Sequence, residues 1–385
     1  MIICNKDQCT GCFSCMSICP NSAISVGTDT YGKTVPVIDD IKCIECGACI
    51  KSCPVNRKPE LYMPLQTIAA WSKTEIDVEE SSSGGAAAVF SRKVLQEKGV
   101  VYGAASINGT VKHIRVTDEE SIQLLRGSKY VQSYTGTVFQ DVKQDLKEGK
   151  FVLFTGVPCQ ISGLKAYLKR DYDNLITVDL ICHGTPPFQY LKEHIENSVK
   201  SKWDSVSFRG KRDWFLSVYM KERVIYSMRR ESDLYFKAFL DQLSYRDNCY
   251  VCSYANPTRC ADITIGDFWG IDRSSMKNQY NGRISLVLLN TQKGNAFWKK
   301  CSDCFVWEER TLEEAMNPAQ GNLLRPSKAH AERETFLKNY QTRGFDRSVA
   351  ATQLGREVKR NKVKNVINKT GIIKLLRVLK HKIMQ

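Results

Sequence analysis

Nine of the sixteen cysteines fall before residue 54, and eight of them repeat one pattern. The first copy is Cys9-x2-Cys12-x2-Cys15-x3-Cys19-Pro20; the second is Cys43-x2-Cys46-x2-Cys49-x3-Cys53-Pro54. Thiols at such intervals are spaced as metal ligands rather than as disulfide partners. Three thiolates two residues apart can wrap three irons of a cubane, while the fourth, set off by three residues and a proline, reaches the neighbouring cluster. The repeat therefore predicts two [4Fe-4S] clusters with crossed ligands: Cys9, Cys12, Cys15 and Cys53 on one, Cys43, Cys46, Cys49 and Cys19 on the other. A pair of zinc sites is the alternative, but zinc has no use for the three-plus-one arrangement with its proline. Gly11 and Gly47 sit where the ligand loops must turn tightly and offer N–H groups to sulfur. Cys4 lies outside the pattern and reads as a small hydrophobe. Clusters of this kind carry single electrons.

Further along, Cys159, Cys182, Cys249, Cys252 and Cys260 form a second group. Cys249-x2-Cys252 followed by Cys260 has ligand spacing again, and Cys159 and Cys182 each follow a strand-like run. A third iron–sulfur site needs four of the five; buried free thiols are the alternative. Cys301-x2-Cys304 reads as incidental, on an exposed helix. His183 adjoins Cys182 in a loop and is an acid/base or flavin-contact candidate. The loops Ser81–Gly85 and Gly127-Ser128-Lys129-Tyr130 could present N–H groups and a cation to phosphates, or serve as ordinary turns and caps. No GxGxxG fingerprint is present.

The elements that must position these residues alternate. AISVGTDTYGKTVPVID (23–39) reads as a hairpin between the two cysteine runs. A stretch with three prolines, 54–66, looks like a linker. After it TIAAWSK predicts a strand, GGAAAVFSRKVLQEKG a helix, VVYGAASI and TVKHIRVT strands, and FQDVKQDLKEGK a helix. KFVLFTG is a buried strand running into the turn Gly156-Val157-Pro158-Cys159, followed by a helix and the strand LITVDLIC. Such alternation predicts an α+β or mixed α/β fold, its sheet covered by helices.

Composition is that of an ordinary globular chain, 42% hydrophobic and 25% charged. No membrane-spanning run and no secretory signal are evident, which predicts a cytoplasmic protein. Of the net charge of +15, most comes from the end of the chain: ten Lys or Arg stand against Glu357 from Arg356 onward. The basic balance is thus local and argues for no nucleic-acid partner. Ile372, Leu375, Leu376, Leu379 and Ile383 fall on one helical face flanked by Lys374, Arg377 and Lys382, a basic amphipathic helix suited to peripheral contact with an anionic inner-membrane face, or to packing on the protein.

RGSKYVQS (126–133), FTGVPCQISGL (154–164), DLICHG (179–184), FRGKRDWF (208–215) and DNCYVCSYANPTRCADITIGDFWGI (247–271) resemble, in the same order, the coenzyme F420 hydrogenase/dehydrogenase beta-subunit family. The resemblance runs from about residue 67 to about 325, fused to a bacterial-type two-cluster ferredoxin module. It implies a ferredoxin-type domain at 1–60, the two parts of a mixed-sheet flavoprotein core at 61–145 and 146–325, and a helical basic tail at 326–385. It implies FAD and a [4Fe-4S] cluster in the core. Carried over residue by residue, flavin contacts fall on Ser83, Gly84, Gly85, Gly127, Ser128, Lys129, Tyr130, Thr155, Gly156 and Gln160, and the core-cluster ligands on the five cysteines of the second group. Arg259, Asp267 and Trp269 match the family motif without an individual role. Asp213-Trp214-Phe215 departs from the Gly-Trp more usual there.

The function implied is an oxidoreductase passing electrons between a hydride-type substrate, coenzyme F420 or another organic molecule, and a one-electron partner such as a ferredoxin or another subunit. A flavin belongs between them because it accepts electrons in pairs and releases them singly. The alternative is a non-catalytic electron-transfer subunit serving a partner enzyme, for instance in surface-polysaccharide biosynthesis.

Overall fold

The structure is a computed structural model that describes residues 1–210 and 213–369. The predicted amphipathic face at 372–383 lies outside the described residues. No helix among the described residues is long and apolar enough to cross a membrane.

The N-terminal module is built on the hairpin β1 (Ile24–Thr28) and β2 (Thr34–Ile38), with short helices Ser14–Ile18 and Ala48–Lys51 carrying cysteines on either side. The core then supplies β3 (Gln66–Ser72), β4 (Val100–Ile107), β5 (Thr110–Val116), β6 (Val152–Gly156), β7 (Leu175–Leu180), β8 (Ser205–Ser207), β9 (Phe215–Met220), β10 (Arg223–Arg229), β11 (Ile263–Asp267), β12 (Ser285–Leu289) and β13 (Phe305–Arg310). Eight of these form one mixed sheet in the order β13-β3-β12-β11-β7-β6-β4-β5. Its centre, β4, β6, β7 and β11, is parallel, and the flanks are antiparallel.

Both faces of that centre are buried, which is why its strands are apolar throughout rather than alternating. Val152 and Phe154 pack under helices Val138–Lys147 and Pro158–Leu168, while Leu153 points the other way, into a core with helices Ala86–Gln96 and Gln292–Cys301. Cys301 belongs to this second core and is fully buried, contrary to the exposed helix expected for it; Cys304 is exposed. The antiparallel sheet β10-β9-β8 shares an aromatic core with helices Phe188–Ser198, Leu234–Leu240 and Arg333–Ala350. The expected linker is not loose, for Tyr62 and Arg259 exchange backbone hydrogen bonds of 2.8 Å each, and Leu65 donates to the Leu289 carbonyl.

Because β6, β7 and β11 run parallel, their C-terminal ends open on one edge of the sheet. Cys159, Cys182 and Asp267 all arrive there, the usual place for a ligand site in an open α/β sheet.

Candidate functional site

In the N-terminal module Cys19, Cys43, Cys46 and Cys49 line one cavity, together with Pro20 and Ala23. Cys9, Cys12, Cys15 and Cys53 make the other group: burial, with the neighbouring charges of Cys12, Cys9 and Cys53, drives the Cys15 thiol upward. Each group thus draws three cysteines from one run and the last from the other. Gly47 lies in the left-handed region at φ +69° with open space beside it, and Gly11 at φ +65° touches the core so closely that a Cβ would stand 2.2 Å from Gln132 Nε2. Cys4 hydrogen-bonds both Cys9 and Cys53, a contact its place outside the repeat concealed. That bond to Cys4, helped by the Arg246 guanidinium, outweighs burial and holds Cys9 at about 6.

The core builds a second thiol site from three places in the chain. β6 ends at Gly156, and Pro158 opens the helix Pro158–Leu168, its fixed φ suiting the first turn. Gln160 Oε1 accepts from the Val157 N–H at 3.2 Å, which closes that turn around Cys159. β7 ends two residues before Cys182, and Gly184 follows at φ +134°, where a Cβ would strike the Tyr245 ring at 2.3 Å. The short helix Asp247–Tyr250 brings Cys249, with Cys252 just beyond it. Cys159, Cys182, Cys249 and Cys252 line a single cavity, with His183, Asn248 and Tyr254 also on its wall. Burial raises every one of these thiols, and for Cys159 the charges of Cys182, Cys252 and Cys249 add to it. Burial thus favours the neutral thiols, and only a cationic centre among them would hold all four as thiolates. No group of His, Cys, Asp or Glu among the described residues is spaced for a single metal ion.

The fifth cysteine is elsewhere. Cys260 is fully buried and directs its thiol at the Pro158 carbonyl, 3.3 Å away, and at Asp179. The N-terminal cysteines, by contrast, come close: a Cβ on Gly163 would lie 2.8 Å from both Cβ and Sγ of Cys12, and the Cys12 charge reaches Cys159.

With this geometry in view, comparison with known proteins separates two regions. Residues 8–57 match the family described as a 4Fe-4S dicluster domain, and residues 149–315 match the family described as the C terminus of the coenzyme F420 hydrogenase/dehydrogenase beta subunit. Ferredoxin-2 of Chlorobaculum tepidum is 41% identical over 56 residues, 13% of this chain and 82% of that protein. The N-terminal module belongs to the two-cluster ferredoxins. An uncharacterized protein of Methanocaldococcus jannaschii is 21% identical over 240 residues, 52% of this chain and 66% of its own length. An uncharacterized ferredoxin-like protein of Haemophilus influenzae is 41% identical over 61 residues, 14% of this chain and 65% of its own. The chain therefore spans just under two thirds of either relative. A chain of the F420-reducing [NiFe] hydrogenase complex from Methanosarcina barkeri aligns at a TM-score of 0.47 and 21% identity, over 68% of this chain and 91% of that one. The ferredoxin match gives the N-terminal module its iron–sulfur character, and the core is similar over residues 149–315 to the C terminus of an oxidoreductase beta subunit.

The ferredoxin domain is fastened to the core by its cysteine loops. Thr135 Oγ1 donates to the Cys12 carbonyl at 2.9 Å, Gln132 Nε2 to those of Thr10 and Gly11, and Gln140 Nε2 to that of Ser17 at 2.8 Å. Lys33 pairs with Asp247, two residues before Cys249.

The residues carried over as flavin contacts divide. The two loops do meet, for the Ser128 N–H donates to Ser82 Oγ at 2.7 Å, and Gly127 at φ +75° has open space before it. Lys129, however, turns its ammonium onto the carbonyls of Leu124, Leu125 and Arg126 at 3.3, 3.0 and 2.8 Å, capping the short helix Ile122–Leu125. Burial lowers it to about 7. Ser83 donates to the Ile284 carbonyl, Gly84 packs on the backbone of Ala70 and Ser285, and Gly85 sits at φ +90° over Asp77. Gln160 is spent on Val157 and Ser133, and the Thr155 carbonyl on His113. Tyr130 lies in an aromatic stack with Trp214 and Phe239.

Arg209, not singled out from the sequence although it stands in the FRGKRDWF segment, ties the region together. It donates to Tyr130 Oη at 2.7 Å, to Asp267 Oδ2 at 2.7 Å and to the Ser82 carbonyl, and lies 4.4 Å over the Trp214 ring. Trp214 neighbours the half-exposed Trp269. A cation set among aromatic residues was the available signal. Arg259 is structural: fully buried, it pairs with Asp179 at 3.0 Å and donates to the Tyr254 carbonyl.

Proposed function

We propose that the chain is an iron–sulfur flavoprotein oxidoreductase that moves electrons between a hydride-type organic substrate and a one-electron partner protein. The observation that carries this reading is the core cavity of Cys159, Cys182, Cys249 and Cys252, lying beside the Cys12 loop of the ferredoxin domain. Those four thiolates would hold a third [4Fe-4S] cluster. Cys9, Cys12, Cys15 and Cys53 would hold the first cluster of the ferredoxin domain, and Cys19, Cys43, Cys46 and Cys49 the second.

FAD would lie at the C-terminal strand edge against Gly127, Ser128, Tyr130 and Arg209, where open space, aromatic walls and a cation coincide. When bound it supplies the exchange between paired and single electrons. Tyr130 and Trp214 give the site an aromatic side, Arg209 holds the loop at Ser82 in place, and His183 stands at the rim of the core cavity, placed to give or take a proton at its imidazole. Coenzyme F420 or a related hydride carrier is the substrate class this implies.

The engagement of Lys129, Ser83 and Gln160 by protein groups favours a second reading, an electron-transfer subunit with no organic substrate of its own. Anaerobic purification with iron, sulfide and flavin analysis separates them. About 12 irons per chain with one FAD, bleached by a hydride donor, supports the enzyme; about 12 irons without flavin supports the subunit. About eight irons would remove the core cluster from both readings.

A further inference from the structure

The junction between the ferredoxin domain and the core contains a fully buried cation. Arg246, 1% exposed, donates from Nη1 to the Thr34 carbonyl at 3.1 Å and to Gln132 Oε1 at 2.9 Å, and from Nη2 to the Cys9 carbonyl at 3.0 Å. All three acceptors are neutral, and its Nε–H is buried with no acceptor. A guanidinium removed from water needs a counter-charge, and uncharged carbonyls do not supply one. Arg246 instead touches a ligand run on each side of the junction: its Nη2 donates to the Cys9 carbonyl of the ferredoxin domain, and its own carbonyl accepts from the Cys249 N–H of the core at 3.0 Å.

We propose that Arg246 is the shared counter-cation of the two clusters that face each other across this junction, fixing the ferredoxin domain in register and raising the reduction potential of both. The inference rests on the reading that Cys9, Cys12, Cys15 and Cys53, and Cys159, Cys182, Cys249 and Cys252, each hold a cluster. Thiolate ligands leave such a cluster negatively charged, and one-electron reduction makes it more so. A fixed positive charge nearby in a medium of low dielectric therefore favours the reduced state. The second ferredoxin cluster, held by Cys19, Cys43, Cys46 and Cys49 in a separate cavity, lies outside this effect. Arg246 is thus a positioning and potential-setting residue; it touches no substrate. Gln132 assists, since it receives Nη1 while donating to the carbonyls of Thr10 and Gly11 in the same ligand loop.

The test is an EPR-monitored redox titration of the anaerobically purified full-length protein and its variants, each first assayed for iron and sulfide. Arg246→Gln should lower the one-electron reduction constant of the two junction clusters about tenfold, about 59 mV, and leave the cluster of Cys19, Cys43, Cys46 and Cys49 where it was. Arg246→Lys, which keeps the charge, should restore most of that shift. Gln132→Glu places a carboxylate on the guanidinium and should reproduce the loss with Arg246 present, so it decides the matter if Arg246→Gln does not fold. Unchanged potentials in variants with full iron content would overturn the inference, as would an equal shift in all three clusters. Wild-type protein lacking the core iron would instead defeat the cluster assignment itself, and the inference with it.

Discussion

Cys252 and Cys260 are eight residues apart, yet one thiol faces a cavity shared with three others and the other faces a carbonyl and a carboxylate inside the core. Replacing Cys260 by Ala should therefore leave iron content at about 12 per chain, whereas Cys252→Ser or Cys159→Ser should lower it by about four, as the loss of one cubane requires. Iron and sulfide analysis of the three variants checks this, and a Cys260→Ala protein short of four irons would place that residue among the ligands. The N-terminal cysteine groups were legible because every cysteine in them lies in one of two short runs whose spacing is itself the geometry. In the core, spacing suggested five candidates and could not select four, because the choice is made by which way a side chain leaves the end of β6, β7 or the turn before β11. Lys129 misled for a related reason. A lysine in a Gly-Ser loop looks like a phosphate ligand, but the free carbonyls of the preceding helical turn offered it nearer partners.

Helices are joined through a buried imidazole. His194, on helix Phe188–Ser198, bonds Asp346 at 2.6 Å through Nδ1 and Asp233 at 3.0 Å through Nε2. Asp346 lies on helix Arg333–Ala350, and Asp233 caps helix Leu234–Leu240 by accepting from the Phe236 N–H. Burial pushes the imidazole down, but the two carboxylates more than reverse this and raise it from 6.5 to about 10. The folded value exceeds the unfolded one, so this stabilisation is fully present below about pH 6.5 and is lost as pH rises through about 10. His194→Gln should cost about 3 kcal/mol near pH 6, because the buried Asp233 and the half-buried Asp346 lose their cation. The gap from wild type in urea midpoint should narrow toward pH 10; a gap independent of pH would show that His194 acts by packing alone. Among the elements, β3 to β7 of the large sheet were readable as strand-like runs, whereas β11, β12 and β13 were not singled out. The hairpin of β9 and β10 was not, since its turn uses Lys221 and Glu222, both at positive φ, in place of the Asn-Gly pair that normally announces such a turn.

For the whole molecule, the proposed function separates chemistry at the strand edge from export through the ferredoxin domain. A Cys12→Ala, Cys46→Ala variant removes one ligand from each N-terminal site and leaves the core residues unaltered. It should still bleach a core flavin in a single turnover with the correct hydride donor, while steady-state reduction of a ferredoxin-type acceptor falls to a few per cent or less of wild type. Because metal binding supports the folding of small cluster domains, core flavin content and thermal midpoint must be shown to match wild type in the same preparation. Wild-type steady-state rates in such a variant would take the N-terminal clusters off the path.

The backbone pairing of Tyr62 with Arg259 has a kinetic consequence. It fastens the segment after Cys53 to the stretch that leads into β11, so the ferredoxin domain is held by both its cysteine loops and its exit strand. A domain held at both ends does not swing between a loading and an unloading position. Electron passage from the core to the first cluster should then proceed at a rate indifferent to solvent viscosity, and only collision with the external acceptor should slow in glycerol. On the proposed function the carrier would stand still, and the partner would do the travelling.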